Sequence, residues 1–361
     1  MPTEIDSLIP DDVVQRIQSL FRPSPVLLIG SGFSCGFGLP GMWDLAQHLL
    51  ANFKTSAISA DAMTLWNMHA KAVEMDFERG LNQIPIGATA REEVTEEVRR
   101  LISGIICDRT LAAEDDIRSL AAPHEAAPAR LLRLVFKGIP QNSDCAHVIT
   151  TNYDTLVELF CDLARLPIDT GFEGHRYRFF RKDSPYRTHF RHESVPGKKA
   201  LQLEYRKVPN VRVMKPHGSI TWHSTTAGPV EILDYRKASS RAIVIPGPTK
   251  YEEALIGRLF DSVRTEMNAV LRDAEGVMCI GFGFNDDHLQ GVITERLGNK
   301  MPMLILTRDF TPKIKALLIQ FPHVVAIAKD GAGAQCHVGG QIHKTDHPVW
   351  ELDCFLKAFL E

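Results

Sequence analysis

The chain alternates short, mostly apolar runs with longer stretches in which apolar residues recur every three or four positions. Val26 to Ile29, Ala146 to Thr150, Val211 to Met214, Ala242 to Pro246, Val277 to Ile280, Met303 to Leu306 and Val324 to Ala328 are of the first kind. Runs that short and that apolar mark strands buried on both faces. Asp11 to Leu20, Met42 to Phe53, Thr155 to Leu163, Tyr251 to Ala274 and Val349 to Leu360 carry helical periodicity. In the fourth of these, Leu255, Leu259, Val263, Met267, Val270 and Leu271 fall on one stripe. Asp11 or Asp12 is expected to cap the first. Strands alternating with helices predict an α/β fold, a doubly wound, mostly parallel, Rossmann-like sheet with its ligand across the carboxyl edge.

Two stretches interrupt that rhythm. Asp61 to Lys137 reads almost entirely as helix, with Arg91-Glu92-Glu93 and Glu96-Glu97 beside Val94, Val98, Leu101 and Ile102. The charges are the wet face of a half-buried helix, so this is a helical insertion or cap without visible chemistry. From Arg165 to Asn210, H-R-Y-R-F-F-R-K and Y-R-T-H-F-R-H interleave cations with aromatic rings. A surface for single-stranded nucleic acid is one reading. A small β-rich insertion with packed rings and solvated arginines is the commoner arrangement and is preferred, so direct nucleic-acid binding is not expected. The expected division is a nucleotide-binding core of 1–55, 138–164 and 211–361, a helical insertion at 56–137, and a small aromatic and basic insertion at 165–210.

At 361 residues, 44% apolar and with a net charge of −3, the chain has material for a large core and no general basic surface. No run approaches membrane-spanning length and the opening M-P-T-E-I-D-S is unlike a signal peptide, so a cytoplasmic protein is expected. Its seven cysteines are odd in number, scattered and never spaced C-x-x-C, as reduced thiols would be. Cys336, His337, His343 and His347 gather in the Gly- and His-rich stretch from Asp330 to Pro348. Their spacing matches no finger or zincin, and a loop without metal is expected there.

The chemistry-bearing residues stand at strand ends. Val26 to Ile29 runs into Gly30-Ser31-Gly32, then Ser34, Gly36, Gly38 and Pro40, before the helix at Met42. A strand, a glycine turn and a helix start make a phosphate site, because the backbone approaches closely and free N–H groups offer positive potential. The dinucleotide fingerprint G-x-G-x-x-G would need its third glycine at Cys35, and the displacement to Gly36 disfavours a hydride-transfer dehydrogenase. Thr150-Thr151-Asn152-Tyr153-Asp154 closes the second strand, with Asn152 where open α/β sheets place ligand-contacting groups and Asp154 as a helix cap. Lys215-Pro216-His217-Gly218-Ser219-Ile220-Thr221-Trp222 follows the third strand, and Gly281-Phe282-Gly283-Phe284-Asn285-Asp286-Asp287-His288-Leu289 follows Val277 to Ile280.

In this order the four stretches resemble the motifs of the sirtuin family, G-A-G-x-S-x-x-x-G-[IL]-P, T-x-N-x-D, K-L-H-G-S-x-x-W and G-[YF]-[SG]-x-x-D-x-H-[IL]. Pro216 stands where the family has leucine. The resemblance spans residues 25 to 289 and leaves both insertions unassigned. It implies that NAD is held by Gly30, Ser31, Gly32, Phe33, Ser34, Leu39, Pro40 and Trp43 on the first loop. Thr151, Asp154, Gly218, Ser219, Gly281, Phe282, Gly283 and Asp286 would complete the binding set. Ser31 and the backbone from Gly30 to Ser34 would hold the phosphates, with Gly281 and Gly283 against the adenosine half. Asn152 and His217 would be catalytic.

Protein-deacetylating members carry a four-cysteine zinc ribbon between the second and third motifs. This chain has no cysteine between Cys161 and Cys279, so no metal is expected and water is favoured over acetyl-lysine as acceptor. The implied activity is that of an NAD+ glycohydrolase, an NADase. Zinc-less sirtuin-like proteins are similar to antiphage defence effectors that destroy cellular NAD. Such an activity needs gating, which implies a homo-oligomer or a partner such as a hexameric DNA-translocating ATPase, the latter by analogy alone. An NAD-dependent protein deacylase or ADP-ribosyltransferase is the alternative, and a non-catalytic NAD or ADP-ribose sensor the second.

Overall fold

The computed structural model describes residues 9–140, 143–181, 190–196, 201–234, 241–245, 254–284 and 287–361. The first half holds α1 (Asp11–Leu20), β1 (Val26–Ile29), α2 (Ser31–Cys35), α3 (Met42–Asn52), α4 (Ala60–Met75), α5 (Phe77–Asn82), α6 (Arg91–Ser119), α7 (Ala127–Lys137), β2 (Cys145–Thr150) and α8 (Leu156–Leu163). A run of strands follows, β3 (Ile168–Asp169), β4 (Phe172–Gly174), β5 (Tyr177–Phe180), β6 (Phe190–Pro196), β7 (Leu201–Lys207), β8 (Asn210–Met214), β9 (Gly218–Thr225), β10 (Gly228–Ile232) and β11 (Arg241–Ile243). The last part returns to alternation, with α9 (Ala254–Asp273), β12 (Val277–Ile280), α10 (Asp287–Gly298), β13 (Met303–Thr307), α11 (Pro312–Gln320), β14 (Val325–Asp330), β15 (Gly333–Val338), β16 (Gln341–Thr345) and α12 (Leu352–Phe359).

Nine strands form the main sheet in the order β16-β15-β14-β13-β12-β1-β2-β8-β3. All neighbours from β14 to β3 are parallel, and only the β15 and β16 hairpin runs antiparallel. The six central strands lie in the doubly wound order, third, second, first, fourth, fifth and sixth, so the topological switch falls between β1 and β12. The apolar runs are continuous because successive side chains face opposite buried layers. Leu27, Ile29, Val148, Met278 and Ile280 pack on one side with residues of α1, α7, α8 and α12. Val26, Leu28, Ile149, Val277 and Cys279 pack on the other with residues of α9, α10 and α11.

Several expectations are corrected. The N-cap of α1 is Pro10, without a side-chain bond, and Asp11 and Asp12 sit in the first turn, where they act on the helix dipole instead. The Asp330 to Pro348 stretch is a hairpin rather than a loop, since Gly339 (φ 60°) and Gly340 (φ 78°) supply the two positive-φ positions of a tight turn between β15 and β16. Cys336 and His343 face each other across that hairpin. Among the described residues no three His, Cys, Asp or Glu gather as metal ligands would, and no helix is long and apolar enough to cross a membrane. All seven cysteines are free.

Packing also redraws the insertions. Ala129, Leu131, Leu132 and Val135 of α7 belong to the sheet core, as do Ala113 and Ile117 at the end of α6. A separate cluster joins α3, α4, α5 and the first half of α6 to Ile220, Ile243 and Ile245. Of the 165–210 region, β3 extends the main sheet, while β4 and β5 join a second, five-stranded sheet, β11-β9-β10-β5-β4. Arg178 is engaged by Glu231 and Arg181 by Asp169, so these cations serve internal ion pairs. Residues 186–189 of the second aromatic and basic run lie outside the described residues, as do Pro246 and Tyr251.

Candidate active site

The loops after β1 and β12 meet at the switch point. Gly30 N–H donates to the Ile280 carbonyl and Gly32 N–H to that of Gly281, each at 3.0 Å. A Cβ on Gly30 would lie 2.5 Å from the Gly281 carbonyl oxygen, and one on Gly281 (φ 59°) would lie 2.3 Å from Phe33 N. These glycines therefore permit one loop to touch the other. The helix expected from Met42 is α3, and a further helical turn, α2, precedes it from Ser31.

Asn152 follows β2 and reaches across to that turn. Its amide Nδ2 donates to the Gly30 carbonyl (2.9 Å) and to Ser34 Oγ (2.8 Å), and Ser34 Oγ donates to Asp154 Oδ2 (2.7 Å). Both amide hydrogens are spent within the protein, so Asn152 offers a ligand its carbonyl oxygen, an acceptor. Asp154 is not the cap expected of it: the N-cap of α8 is Thr155, without a side-chain bond, and Asp154 Oδ1 accepts the Leu156 N–H (3.1 Å) from one residue earlier.

His217 sits half-buried between β8 and β9. Its carbonyl accepts the Val244 N–H (2.8 Å), and the Gly218 N–H closes a turn onto Lys215 (3.0 Å). Gly218 has φ 85°, and a Cβ there would stand 2.1 Å from the Ala242 carbonyl oxygen. Below this turn Lys215, only 2% exposed, pairs with Glu158 at 2.7 Å and donates to the Asp154 carbonyl. Burial pushes the Glu158 carboxyl above its ordinary pKa, although Lys215 pulls the other way. Ser219 Oγ lies 3.3 Å from the Tyr153 carbonyl, which also accepts the Ile220 N–H at 2.9 Å. The Asn152 loop and the His217 loop are thus fastened by one buried cation and a seam of hydrogen bonds.

Above them lies a cleft, partly open to solvent. Gly30, Ser31, Ser34, Leu39 and Pro40 line one wall, with Phe282 and Gly283 beside them and Thr151, Asn152, Asp154 and His217 on the floor. Gly32, Gly218, Ser219 and Gly281 support these loops from outside the cleft lining. Phe33 also points away, packing on Phe37 and Phe160 in the core, and Trp43 is 69% exposed and does not line the cleft. Asp286 lies outside the described residues.

The third wall was not expected. Phe77 and Glu78 of α5 and Ile106 of α6 line the same cleft, joined by Met42, Leu45, Tyr153, Val244 and Phe284. The helical insertion therefore contributes to the site, which its amphipathic pattern gave no sign of. A corner explains it. Asp76 caps α5 through the Arg79 N–H (2.9 Å), and a Cβ on Gly80 would fall 2.3 Å from Val73 N, so α5 turns back hard against α4. Asp76 and Gly80, a cap and a close contact within five residues, were the available signal.

Residues 146–319, which hold Asn152, His217 and the β12 loop, match the model of the SIR2-like domain. The glycine turn and the helical insertion lie outside that match. No curated protein matches the chain. Among solved structures, one described as giving the structural basis for the mechanism and regulation of Sir2 enzymes is 14% identical, with a TM-score of 0.39, covering 84% of this chain and 89% of its own. A variant Sir2 homologue bound to 2′-O-acetyl ADP-ribose is 16% identical, with a TM-score of 0.40, covering 85% and 88%. Another, bound to ADP-ribose, is 14% identical, with a TM-score of 0.40 and the same coverage.

Proposed function

We propose that the protein is an NAD+ glycohydrolase that cleaves the nicotinamide–ribose bond with water as acceptor. The observation that carries this reading is that Asn152 and His217, from separate strand ends, line one cleft with the glycine turn after β1. The sirtuin-like match over 146–319 and the ADP-ribose held by Sir2 homologues support a dinucleotide as its ligand.

The chemistry suits these groups. In NAD+ the ring nitrogen is cationic, so the C1′–N bond breaks with its electron pair passing to nicotinamide, which departs neutral. No strong general acid is needed, unlike in glycoside hydrolysis. The Asn152 carbonyl oxygen accepts a hydrogen bond from the attacking water and orients its lone pair toward C1′. His217 takes the proton that the water gives up as its oxygen bonds to C1′. The products are nicotinamide, ADP-ribose and one proton, which His217 passes to solvent. The backbone from Gly30 to Ser34 receives the diphosphate.

The biological setting belongs to the same proposal and rests on the motif resemblance alone. It is a cytoplasmic, NAD-depleting effector of antiphage defence, gated by homo-oligomerisation or by a partner such as a DNA-translocating ATPase. The test is to incubate purified protein with NAD+, alone and with proteins encoded beside it, and to separate the products by chromatography. Free nicotinamide with ADP-ribose is expected. Binding of ADP-ribose without nicotinamide release under every condition would replace the enzyme by a sensor. Strict dependence on an acylated protein would replace water by another acceptor.

A further inference from the structure

On β5 the arrangement expected of the 165–210 region, packed rings and solvated arginines, is reversed. Arg178 turns inward to Glu231, which is 2% exposed, whereas Tyr177 and Phe179 are 45% and 53% exposed. Phe180 faces the other way, onto Phe172 of the core (5.5 Å). The two outward rings stand 5.2 Å apart, edge to face. β5 is flanked by β4 and β10, so the rings rise from the face of a sheet rather than from a loop. Beside Tyr177, at the tip of the hairpin between β4 and β5, His175 and Arg176 are exposed, and among the described residues neither has an ion-pair partner. Glu173 lies opposite Phe179 on β4, but Arg181 stands 3.6 Å from its carboxylate and offsets the charge.

We propose that this face is a docking surface for single-stranded nucleic acid, with unpaired bases stacking on Tyr177 and Phe179 and a backbone phosphate meeting Arg176. Exposed rings alone would suit any apolar partner, and charge decides between them. Residues 165–210 hold eleven Lys and Arg against five Asp and Glu, a surplus of six cations in a chain whose net charge is −3. A single strand uses both features, since it offers flat apolar base faces and a negative charge at every nucleotide. A duplex keeps those faces inside its own stack. Rings and charge read neither sugar nor sequence, so DNA and RNA bind alike. None of these residues lines the cleft, so the docking surface stands apart from the reading of the cleft as an NAD+ site.

The test is fluorescence anisotropy of labelled oligo(dT) and oligo(rU), each about 16 nucleotides long, with the whole protein at several salt concentrations. Both are expected to bind, less tightly as salt rises, and the matching duplexes more weakly. Tyr177→Ala combined with Phe179→Ala is expected to weaken single strands about 10²-fold, about tenfold for each ring, with the salt slope unchanged. Arg176→Gln is expected to weaken them less and to flatten the salt slope by about one phosphate contact. Both rings face solvent, so the variants should keep the circular dichroism and the nicotinamide release of the wild type. Absence of binding by the wild type at low salt would overturn the inference. So would equal affinity for duplex, or ring variants that bind as tightly as the wild type, since either would reduce the surface to its charge.

Discussion

The floor of the cleft and its insertion wall are built on different principles. On the floor, Asn152 and His217 hang from strand ends and are held by backbone and buried polar groups, the Gly30 carbonyl, Ser34, Asp154 and Lys215. In the wall, Phe77 and Ile106 are held by apolar packing of helices. Polar geometry tolerates few residue types at each position, so it leaves a motif. Packing tolerates any side chain of the right volume, so it leaves only a period. The difference predicts that damage to the floor removes chemistry and damage to the wall removes fit.

The strongest way to break that contrast is to substitute the floor. His217→Ala is expected to cut nicotinamide release by about 10²–10⁴-fold, the usual share of a general base. Asn152→Ala is expected to match it, because it also strips the donor from the Gly30 carbonyl and from Ser34. Circular dichroism should stay that of the wild type. Normal turnover in either variant would end the assignment of the floor.

The same contrast explains what could be read from the sequence. The six central strands and the glycine turns were legible because burial on both faces forces continuous apolar runs, and because positions such as Gly281 admit no Cβ. Asn152 and His217 were legible because they stand at strand ends beside residues with obligatory backbone roles. Phe33 misled, since an aromatic inside a ligand loop can equally well turn into the core, as it does onto Phe160. Trp43 misled for the opposite reason, lying on the outward face of α3. The second sheet was hidden because the β9–β10 hairpin starts directly after His217 and β10 pairs on its other side with β5, far back in the sequence.

Lys215→Met sharpens the comparison next, since it cuts the fastening beneath the floor and leaves the wall intact. It strands the Glu158 carboxylate in a buried site, a loss of about 3–5 kcal/mol for one half of a buried pair. Thermal unfolding should show a large fall in Tm, partly recovered by adding Glu158→Gln. A Tm unmoved by Lys215→Met would mean that the two loops are not fastened there. A smaller effect is expected in the wall. Gly80→Ala pushes a methyl into the backbone of Val73, and overpacking of this kind costs about 1–3 kcal/mol. ADP-ribose affinity should survive it, while KM for NAD+ rises as α5 shifts. A loss of kcat with KM unchanged would contradict the division between chemistry and fit.

The mildest effect lies on the seam between the two regions. His223 of β9 is 2% exposed, and neither ring nitrogen has a hydrogen-bond partner. It pairs across the strands with Arg241, whose guanidinium donates to the Ser103 carbonyl of α6 at 3.0 Å. Burial, and then the Arg241 cation, lower its pKa from 6.5 to about 4. The folded state therefore binds this proton less readily than the unfolded chain. The stability that follows is fully present above pH 6.5 and is lost as pH falls from there through about 4. His223→Phe keeps the volume and removes the proton site. Its Tm should fall less than that of the wild type between pH 6.5 and 4, and the two pH slopes should coincide above pH 7. Parallel slopes across the acid range would show that the seam between floor and wall closes without depending on a neutral imidazole.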